Sequence, residues 1–474
     1  MQTTLKPEPN HHYFFVTGRL AESVVREIVA ALAEQYSFDY SIGVMPITVA
    51  ALMTPRWLRR NLNVPADATH VIVPGYCESG IAELADALEI PVICGPNDCR
   101  ALSELFGGQR VADDLSDYDI QIIAEINHAP RMSIDEVVRR ADALSKQGAD
   151  VIDFGCDPVR HCANVGEYIA ALVDRGHQVS VDTFDTDETL QATENGASLV
   201  LSVNSSNRQH AADWGAEVVV IPDAPSDLQS LRDTVDFLAK KNVPMRLDPI
   251  LEPIGAGFAA SLHRYATIRN EFPDLPMMMG IGNLTELTDV DSAGVNLLLI
   301  GICQELGIHS VLTTQVINWA RSSVRECDIA RRLAHYSVKH GIPPKRLSDA
   351  LVMLRDDKLR PYPTEALQQL ANQIKDNNYR LFAQDDQIRV LSAGVNLADD
   401  DPFRLFDRLM QENTSDNIEA GHAFYLGYEM AKASIALTLG KQYEQDQALD
   451  WGMLTQAEDL HRIKRTSRHR KKPQ

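Results

Sequence analysis

Strand-like and helix-like stretches alternate over the first quarter of the chain. The strand-like runs are HYFFVTG, DYSIGVM, ATHVIVPG and IPVICGP, and LAESVVREIVAALAEQ between the first two has the period of an amphipathic helix. This rhythm predicts a small open α/β sheet of about four parallel strands that ends near residues 106–114. The turns at 17–19 and 74–76 follow two of these strands, where such sheets can bind anions, but neither is a phosphate-loop motif and plain connecting turns are the commoner meaning.

Eight further strand-like runs follow at regular intervals between residues 119 and 324. They read IQIIAEI, DVIDFG, QVSVDT, SLVLSV, EVVVIP, VPMRLD, PMMMGI and HSVLTT. Most are continuous apolar runs, which is typical of parallel strands covered on both faces. Helical patterns such as IDEVVRRADALSKQGA and LQSLRDTVDFLAKKN separate several of them. The order predicts a (β/α)₈ TIM barrel, with an open doubly wound sheet as the alternative architecture.

The pattern changes again from Asp328 onward and becomes mainly helical. One hairpin-like stretch, YRLFAQDDQIRVLSAG, precedes the amphipathic segments FRLFDRLMQ and GHAFYLGYEMAKASIALTLGKQY. We therefore predict an α/β protein with four parts: a flavodoxin-like N-terminal α/β domain at 1–118, the barrel at 119–327, a mainly helical α+β domain at 328–460, and a basic disordered tail at 461–474.

Charge and composition narrow the class of protein. The chain has 474 residues, with 45 Lys and Arg against 66 Asp and Glu and a net charge of −21, which argues against nucleic acid as the main partner. Neither a long apolar stretch nor a signal-peptide pattern is found, so we expect a cytoplasmic protein with no membrane partner. The seven cysteines are an odd, scattered number, so reduced thiols are expected. A metal site within CDPVRHC at 156–162 lacks the paired cysteines typical of zinc.

Polar side chains close almost every strand of the predicted barrel. In a parallel barrel, ligands bind at the carboxyl ends of the strands. The residues at or next to those ends are Asn127, Asp153, Asp182, Asn204, Asp223, Asp248 and Asn283. Asp and Asn are also common turn and helix-cap residues, so each position alone has little weight and the convergence of all seven carries the prediction.

Asp182 and Asp248 each complete an apolar strand, in SVDT and RLDP. Burying such charges is costly without partners. A neutral heterocycle with a ring N–H beside an exocyclic NH₂ supplies both partners to one carboxylate, and the amides of Asn204 and Asn283 can donate to and accept from ring atoms. The pattern therefore predicts a pocket for a 2-amino-4-oxo ring edge.

These residues resemble those of a known family. Asn127, GADVIDFG at 148–155, SVDT at 180–183, Asn204 and LDP at 247–249 are similar to the pterin-binding barrel shared by dihydropteroate synthases and methyltetrahydrofolate:corrinoid methyltransferases. The resemblance covers residues 122–325. The whole arrangement, with LGYEMAKASIALTLGKQYEQDQALDWG after the barrel, resembles the dihydropteroate synthase-related proteins of methanogenic archaea and of bacteria that use tetrahydromethanopterin.

The resemblance implies a transferase of tetrahydromethanopterin biosynthesis. Such an enzyme condenses 6-hydroxymethyl-7,8-dihydropterin diphosphate with an arylamine and releases diphosphate, with pterin as substrate and Mg²⁺ as cofactor; a homodimer is implied. Asp182 and Asp248 become the catalytic residues, with Asp248 stabilising positive charge as the diphosphate leaves. The implied pterin ligands are Asp153, Asp182, Asn204, Asp248 and Asn283.

The diphosphate contacts follow from the same resemblance and from simple chemistry. A leaving diphosphate needs cations or aimed N–H groups, and Mg²⁺ with an arginine is the usual supply. Asn127 would hold the diphosphate, directly or through Mg²⁺. Arg321 and Arg325 lie just past the eighth strand and are the available arginines, although both positions are also compatible with a surface helix.

Two loops depart from the dihydropteroate synthase pattern. The Ser-Arg-Lys stretch after the seventh strand is replaced by residues 280–284, GIGNL, and the Thr-Pro-Asp-Ser-Phe loop by residues 127–131, NHAPR. Loss of the lysine argues against plain 4-aminobenzoate as the acceptor. The resemblance implies ribofuranosyl-aminobenzene phosphate as the acceptor instead, and its phosphate would contact Arg131, Arg160 or Arg208. Asn283 keeps corrinoid methyl transfer open as an alternative, and a non-catalytic pterin-binding scaffold is a third.

Overall fold

The computed structural model describes residues 5–8, 10–109, 113–354, 356, 359–412 and 418–458. These described residues fall into two compact units, with the division between Leu347 and Ser348. The predicted basic tail at 461–474 lies outside the described residues. Among those that are described, no helix combines the length and the hydropathy needed to cross a lipid bilayer.

The first unit begins with a four-stranded parallel sheet, as predicted. Its strands are β1 (His12–Gly18), β2 (Asp39–Met45), β3 (His70–Val73) and β4 (Val92–Cys94), in the order β2-β1-β3-β4. Its helices are α1 (Glu22–Tyr36), α2 (Pro55–Asn61) and α3 (Ile81–Leu88). Tyr13 and Phe15 pack on the α1 side, whereas Phe14 and Val16 pack on the α2 and α3 side. Because both faces of β1 are covered, its sequence is a continuous apolar run.

The eight predicted barrel strands are all present and parallel. They are β5 (Gln121–Ile126), β6 (Val151–Gly155), β7 (Gln178–Asp182), β8 (Leu199–Val203), β9 (Glu217–Val220), β10 (Met245–Leu247), β11 (Met278–Gly280) and β12 (Ser310–Thr313). The hydrogen-bonded order runs β10-β9-β8-β7-β6-β5-β12-β11. A bridge from Leu247 to Met277 joins the two ends of this sheet. The barrel is therefore closed, and the open doubly wound alternative is wrong.

Helices connect most of these strands and surround the barrel. They are α4 (Ile134–Lys146), α5 (Val165–Asp174), α6 (Thr186–Glu194), α7 (Leu228–Ala239), α8 (Phe258–Glu271), α9 (Gly282–Thr285), α10 (Ser292–Leu306) and α11 (Ser323–His340). Residues 204–216, between β8 and β9, form turns instead. The last helix, α11, runs through residue 327, where the end of the barrel domain is predicted, and the compact unit ends at Leu347.

The barrel interior is built in layers, because alternate residues of each strand point inward. At the end where the strands begin, Arg246 donates to both carboxylate oxygens of Glu217 and to Gln121. The middle layer is apolar and consists of Ile123, Val151, Leu199, Leu201, Val219 and Met278. On β5 and β6 the next inward positions toward the carboxyl ends are the acidic residues Glu125 and Asp153. We call this carboxyl end of strands β5–β12 the barrel mouth.

The second unit is α+β, as predicted. Its helices are α12 (Thr364–Gln373), α13 (Pro402–Met410) and α14 (Ala420–Leu439), and its strands are β13 (Arg380–Gln384), β14 (Gln387–Ser392) and β15 (Val395–Asp399). The predicted hairpin is β13–β14, and β15 adds a third antiparallel strand that the pattern did not predict. Ile388, Val390, Leu405 and Leu426 belong to the core that joins the sheet to α13 and α14.

Candidate active site at the barrel mouth

Strand register brings acidic side chains of three neighbouring strands together. Glu125 on β5 pairs with Asp153 on β6, and Asp153 pairs in turn with Ser180 on β7. Asp182 is the next inward position on β7. Oxygen atoms of Glu125, Asp153 and Asp182 lie within 4.8 Å of one another. We call these three residues the acidic group.

Asp153 is the most deeply buried member of the acidic group, with 0% of its surface exposed. The Ser180 hydroxyl donates to Asp153 Oδ1 at 2.6 Å. Its second oxygen, Oδ2, is buried and has no hydrogen-bond partner among the described residues. Burial raises the pKa of Asp153 well above its usual range, and the nearby Asp182 and Glu125 carboxylates add to the rise. An oxygen in this state is open to a donor or a cation supplied from outside the chain.

Glu125 extends the acidic group beyond the residues that close the strands. Burial and, to a lesser extent, the charges of Asp182 and Glu286 together raise the pKa of Glu125 to about 8. Gly155 on β6 leaves room for this side chain, because a Cβ at residue 155 would stand 2.5 Å from Glu125 Oε1. With this pKa, Glu125 carries a proton over much of the neutral range.

A bulge in β8 orients a hydroxyl toward Asp182. The β8–β9 register shifts between Val200 and Val203, and Ser202 between them has a left-handed backbone with φ of 70°. Burial raises the pKa of Asp182, while a hydrogen bond to the Ser202 side chain limits the rise. The bulge therefore supplies a local donor to the carboxylate, in place of a basic side chain.

Asp248 lies on the opposite wall of the mouth, just after β10, and is held by neutral donors. The Tyr265 hydroxyl on α8 and the Ile250 N–H both donate to Asp248 Oδ1, the latter at 2.8 Å. Burial raises the pKa of Asp248 to about 6, and the Tyr265, Ile250 and Gly280 hydrogen bonds oppose the rise. Arg264 donates instead to the Ile250 carbonyl and to Glu252.

The loop after β10 adopts strained backbone to make these contacts. Ile250 has φ of 67°, a left-handed conformation that is unfavourable for a β-branched residue. The same conformation aims its N–H at Asp248 Oδ1. Strain of this kind persists only where surrounding contacts impose it, and here it fixes the orientation of the Asp248 carboxylate.

Asn283 lies beside Asp248, as the barrel geometry predicts. Its amide Nδ2 donates to the Leu251 carbonyl at 3.1 Å, and the residue is exposed. A Cβ at residue 280 would stand 3.4 Å from Asn283 Nδ2 and 3.7 Å from Asp248 Oδ2. Gly280 therefore leaves open space between the two side chains.

The other two asparagines differ in how their side chains are engaged. Asn204 Oδ1 accepts from the Ser206 N–H at 3.0 Å and from the Ser206 hydroxyl at 2.7 Å, so this oxygen caps its own turn. Asn127 Oδ1 is buried with no hydrogen-bond partner among the described residues. Of the two, Asn127 has the free acceptor oxygen.

The candidate arginines do not converge on the carboxylates. Arg321 and Arg325 are exposed on the segment that leads from β12 into α11. Arg131 donates to Asp157 at 2.7 Å, an ion pair that lowers the pKa of Asp157. Arg160 is exposed on the loop after β6.

Arg208 faces the outside of the barrel. It donates to Thr234 and lies 5.1 Å from the ring centre of Phe237, both on α7. The segment CDPVRHC at 156–162 does not form a metal site in the described part of the chain. Asp157 forms an ion pair with Arg131, and His161 pairs with Asp185. All seven cysteines are free thiols, as expected.

The mouth as a whole is acidic, although the charge of Arg264 acts on Asp248 and lowers its pKa. Within the described ranges, no arginine or lysine forms an ion pair with Glu125, Asp153, Asp182 or Asp248. Carboxylates with raised pKa values can accept from N–H and NH₂ groups, donate when protonated, or bind an oxygen-seeking cation. The chemistry therefore suits a polar neutral ring, a divalent cation, or both.

Three contributors were not found from the sequence. Glu125 interrupts the apolar run IIAEI at an inward position, and that charged residue inside a buried strand is a signal that could have found it. Glu286 accepts from the Thr314 hydroxyl, and its charge contributes to the raised pKa of Glu125. Tyr265 lies on α8, 17 residues after Asp248, and nothing in its local pattern points to the mouth.

Comparison with known proteins adds two sequence relatives. Residues 11–97, which include β1–β4, match DUF6513, a family of unknown function. An uncharacterized protein of Methanocaldococcus jannaschii is 27% identical over 384 residues, which is 69% of this chain and 69% of the relative. Neither description assigns an activity.

Similar solved structures are dihydropteroate synthases. The Yersinia pestis enzyme with a pterine-sulfa conjugate has a TM-score of 0.38 and 18% identity, covering 48% of this chain and 95% of that one. The Xanthomonas albilineans enzyme with 7,8-dihydropteroate has a TM-score of 0.38 and 18% identity, covering 49% and 97%. The Thermus thermophilus enzyme with 4-aminobenzoate has a TM-score of 0.36 and 20% identity, covering 47% and 95%.

Proposed function

We propose that this protein binds a pterin at the barrel mouth and joins its 6-methylene carbon to an arylamine, with diphosphate as the leaving group. The observation that carries the proposal is the set of buried carboxylates that form no ion pair with a basic side chain in the described part of the chain. Leaving several buried charges unpaired is costly, so an evolved site of this kind needs a ligand that supplies donors. The 2-amino-4-oxo edge of a pterin presents a ring N–H and an NH₂ side by side.

The roles follow from the position of each side chain. Asp182 and Asp248 accept from the pterin N–H and NH₂ groups, and Asp153 accepts through its free Oδ2. The Asn204 and Asn283 amides complete the pterin contacts. Asp248 is the best placed to remain ionised near neutral pH, because its pKa is about 6 and three neutral donors support its charge.

We propose that Glu125, on β5, supplies the hydrogen-bond donor that a lysine after the seventh strand would supply in dihydropteroate synthases. A protonated carboxyl group donates one hydrogen bond, so Glu125 with a pKa of about 8 can donate to a ring carbonyl or ring nitrogen. A lysine would neutralise the acidic group by charge, whereas Glu125 avoids adding negative charge by keeping its proton. A protonated glutamate in the donor role fits a site that already holds Asp153 and Asp182.

The chemical step is a substitution at the 6-methylene carbon. The bond from that carbon to the diphosphate oxygen breaks, the bond to the arylamine nitrogen forms, and the nitrogen loses one proton. Positive charge develops on the pterin as the diphosphate departs, and the ionised Asp248 stabilises it. Arg321 and Arg325, exposed past β12, are the cations available to the leaving group.

A magnesium ion fits the donor set of this mouth. Mg²⁺ prefers oxygen ligands, and the mouth offers the unpartnered Asn127 Oδ1 together with the carboxylate oxygens of the acidic group. We propose Asn127 as the residue that holds the ion beside the diphosphate. When bound, Mg²⁺ would neutralise charge on the leaving diphosphate.

The acceptor we propose is an arylamine that carries its own phosphate, ribofuranosyl-aminobenzene phosphate, in a route to a tetrahydromethanopterin-type cofactor. Arg160 is the best candidate for its phosphate, because Arg131 is already paired with Asp157 and Arg208 packs on α7. A homodimer in the cytoplasm is part of the same proposal.

The test is direct incubation of the purified protein with 6-hydroxymethyl-7,8-dihydropterin diphosphate, Mg²⁺ and each arylamine in turn, followed by mass spectrometry. We expect a coupled product and free diphosphate, greatly reduced in Asp248→Asn. An intact pterin diphosphate with every acceptor would contradict the proposal. Tight pterin binding without turnover would support the scaffold alternative.

Methyl transfer to a corrinoid protein is the second candidate, and Asn283 beside Asp248 is the observation that favours it. In that case the mouth would bind a methylated pterin, and a methyl group would pass to a reduced corrinoid. Addition of a methylpterin and a cob(I)alamin-containing partner would then change the corrinoid absorption spectrum. An unchanged spectrum excludes this candidate.

A further inference from the structure

A cleft opens at the carboxyl edge of the N-terminal sheet, apart from the barrel mouth. The strand order is β2-β1-β3-β4, so β2 lies on one side of β1 and β3 lies on the other. The strand order therefore reverses between β1 and β3, which is a topological switch point. Open parallel sheets bind ligands in the crevice at this point. The loops after β1, β3 and β4 line the cleft, which has a volume of about 270 Å³. We call it the β1/β3 cleft.

The walls of the β1/β3 cleft are mainly apolar. Val24 on α1 and Ile72 on β3 lie inside it. Leu20, Val49 and Tyr76 line its opening and keep 43%, 40% and 44% of their surface exposed. Apolar side chains that converge on one open cavity mark a binding site more often than scattered ones do. The bound molecule is therefore expected to have an apolar body.

The segment after α11 closes one side of the cleft with basic residues. Arg346 donates to the Asn97 carbonyl at 3.0 Å and to the Tyr76 hydroxyl at 2.9 Å. Arg100 donates to the Lys345 carbonyl at 3.0 Å. These bonds hold Lys345 at the cleft, where its exposed ammonium group has no partner among the described residues.

The acidic residue that lines the cleft, Asp98, forms an ion pair with Arg100, which also pairs with Asp113 at 3.1 Å. The Arg100 guanidinium donates to Asp98 Oδ1 at 3.0 Å and to Oδ2 at 2.7 Å, and the Arg100 backbone N–H donates to Oδ1 at 3.1 Å. This bidentate geometry is the strong form of the Arg–carboxylate pair. On a chain with a net charge of −21, a cleft that ends at Lys345 and Arg346 is a local positive feature.

The β1/β3 cleft is far from the barrel mouth. Helix α11 follows β12 and returns along the barrel, and its residue Arg331 donates to the Ile120 and Gly148 carbonyls, which precede β5 and β6. Its 18 residues span about 27 Å, so its last residue lies at the end where the strands begin. Lys345 follows five residues later, and a molecule in the cleft cannot touch the mouth.

We propose that the β1/β3 cleft is a second binding site, for a small aromatic carboxylate whose ring lies between α1 and β3 and whose anionic end contacts Lys345. The proposal is independent of the pterin reaction. It gives the N-terminal sheet a ligand-binding role, whereas the family that matches this sheet is described as one of unknown function.

The test compares 1-naphthoate with 1-naphthamide, its uncharged isostere, by ligand-observed NMR titration of the full chain. We expect saturable naphthoate binding below about 5 mM and binding of naphthamide weaker by about two- to fivefold, the range for one partly exposed charge. Lys345→Gln should remove this difference and leave naphthamide binding unchanged. Leu20→Glu, at the exposed rim, should weaken naphthoate binding further.

Two control variants make the result decisive. Lys375→Gln removes the same charge from an exposed lysine after α12 that does not line the cleft, and should change nothing. Asp182→Asn alters the barrel mouth and should leave naphthoate binding intact. Absence of saturable binding, equal affinities of both probes, no effect of Lys345→Gln, or loss of naphthoate binding in Asp182→Asn would each overturn the proposal.

Discussion

Glu125 on β5 lies directly opposite Asp153 on β6, and both side chains point into the barrel just above its apolar layer. Two neighbouring buried carboxylates cannot both ionise without a large cost. Burial raises the pKa of each, to about 8 for Glu125, and nearby carboxylates contribute to the rise. Carboxyl groups at the barrel mouth therefore stay protonated to higher pH than usual in the unliganded protein. Ligands that bring hydrogen-bond donors or positive charge are favoured there.

The first prediction concerns stability and pH. Between its ordinary pKa of 4.5 and about 8, folded Glu125 keeps a proton that the unfolded chain has released, so the free energy of unfolding falls as the pH rises through this interval. Glu125→Gln removes this contribution. We expect the variant to be more stable than the wild type by about 1–3 kcal/mol at pH 8–9, with a smaller difference near pH 5.

Urea unfolding at several pH values measures the effect of Glu125→Gln. The exposed Glu305 on α10 provides the matched control, because Glu305→Gln makes the same chemical change away from the acidic group. An equal pH dependence in Glu125→Gln and wild type would show that Glu125 is ionised in the folded protein, contrary to this account.

The second prediction concerns the two aspartates proposed to bind the pterin edge. Asp182→Asn and Asp248→Asn should each weaken binding of 6-hydroxymethyl-7,8-dihydropterin by about 1.5–3 kcal/mol, because each removes a charged hydrogen-bond acceptor. Calorimetric titration gives the affinities, and Asp233→Asn on the exposed face of α7 is the control. Unchanged affinity in both mouth variants would place the pocket elsewhere.

The third prediction concerns the hydroxyl that supports Asp248. Pterin binding should weaken as the pH falls through about 6, where Asp248 takes up a proton. Tyr265→Phe removes a donor to the ionised carboxylate, so the midpoint should move to higher pH by about one unit. Tyr168→Phe is the control, because Tyr168 donates to the Met132 carbonyl. A midpoint that stays in place would mean that Asp248 does not bind the ligand.

The fourth prediction concerns the space beside Glu125. A Cβ at residue 155 would lie 2.5 Å from Glu125 Oε1 and 3.1 Å from the Ile126 carbonyl, so Gly155→Ala must displace the acidic group. We expect a loss of about 1–3 kcal/mol in stability together with weaker pterin binding. At Gly294, on α10, no atom lies within 4 Å of the added Cβ. Gly294→Ala should therefore be neutral or slightly stabilising, and comparable losses in both variants would refute the packing argument.

The architecture was largely accessible from the sequence because parallel strands buried on both faces read as continuous apolar runs. Most strands of the N-terminal sheet and of the barrel follow such runs, although β2, DYSIGVM, does not. Strand β15 was missed, since VNLAD has only one buried residue and depends on pairing with β14. Tertiary pairing of this kind leaves little trace in local pattern.

The candidate site was accessible only in part, for a geometric reason. Residues that close a strand are visible in the sequence, and Asp153, Asp182 and Asp248 do lie at the mouth. The register between strands is not visible, so Glu125 was not associated with Asp153. Asn204 was predicted as a ligand contact, but its side-chain oxygen caps a local turn. Asparagine takes this role in many loops, so its presence at a strand end does not by itself indicate a binding site.

A crystal structure of the protein with 6-hydroxymethyl-7,8-dihydropterin is the most direct measurement of what the barrel mouth binds. We predict the ring inside the mouth, with its N–H and NH₂ edge within hydrogen-bond distance of Asp182 and Asp248 carboxylate oxygens. A mouth that holds only water or a metal ion at saturating pterin, or a ring bound with that edge away from both aspartates, would contradict the account.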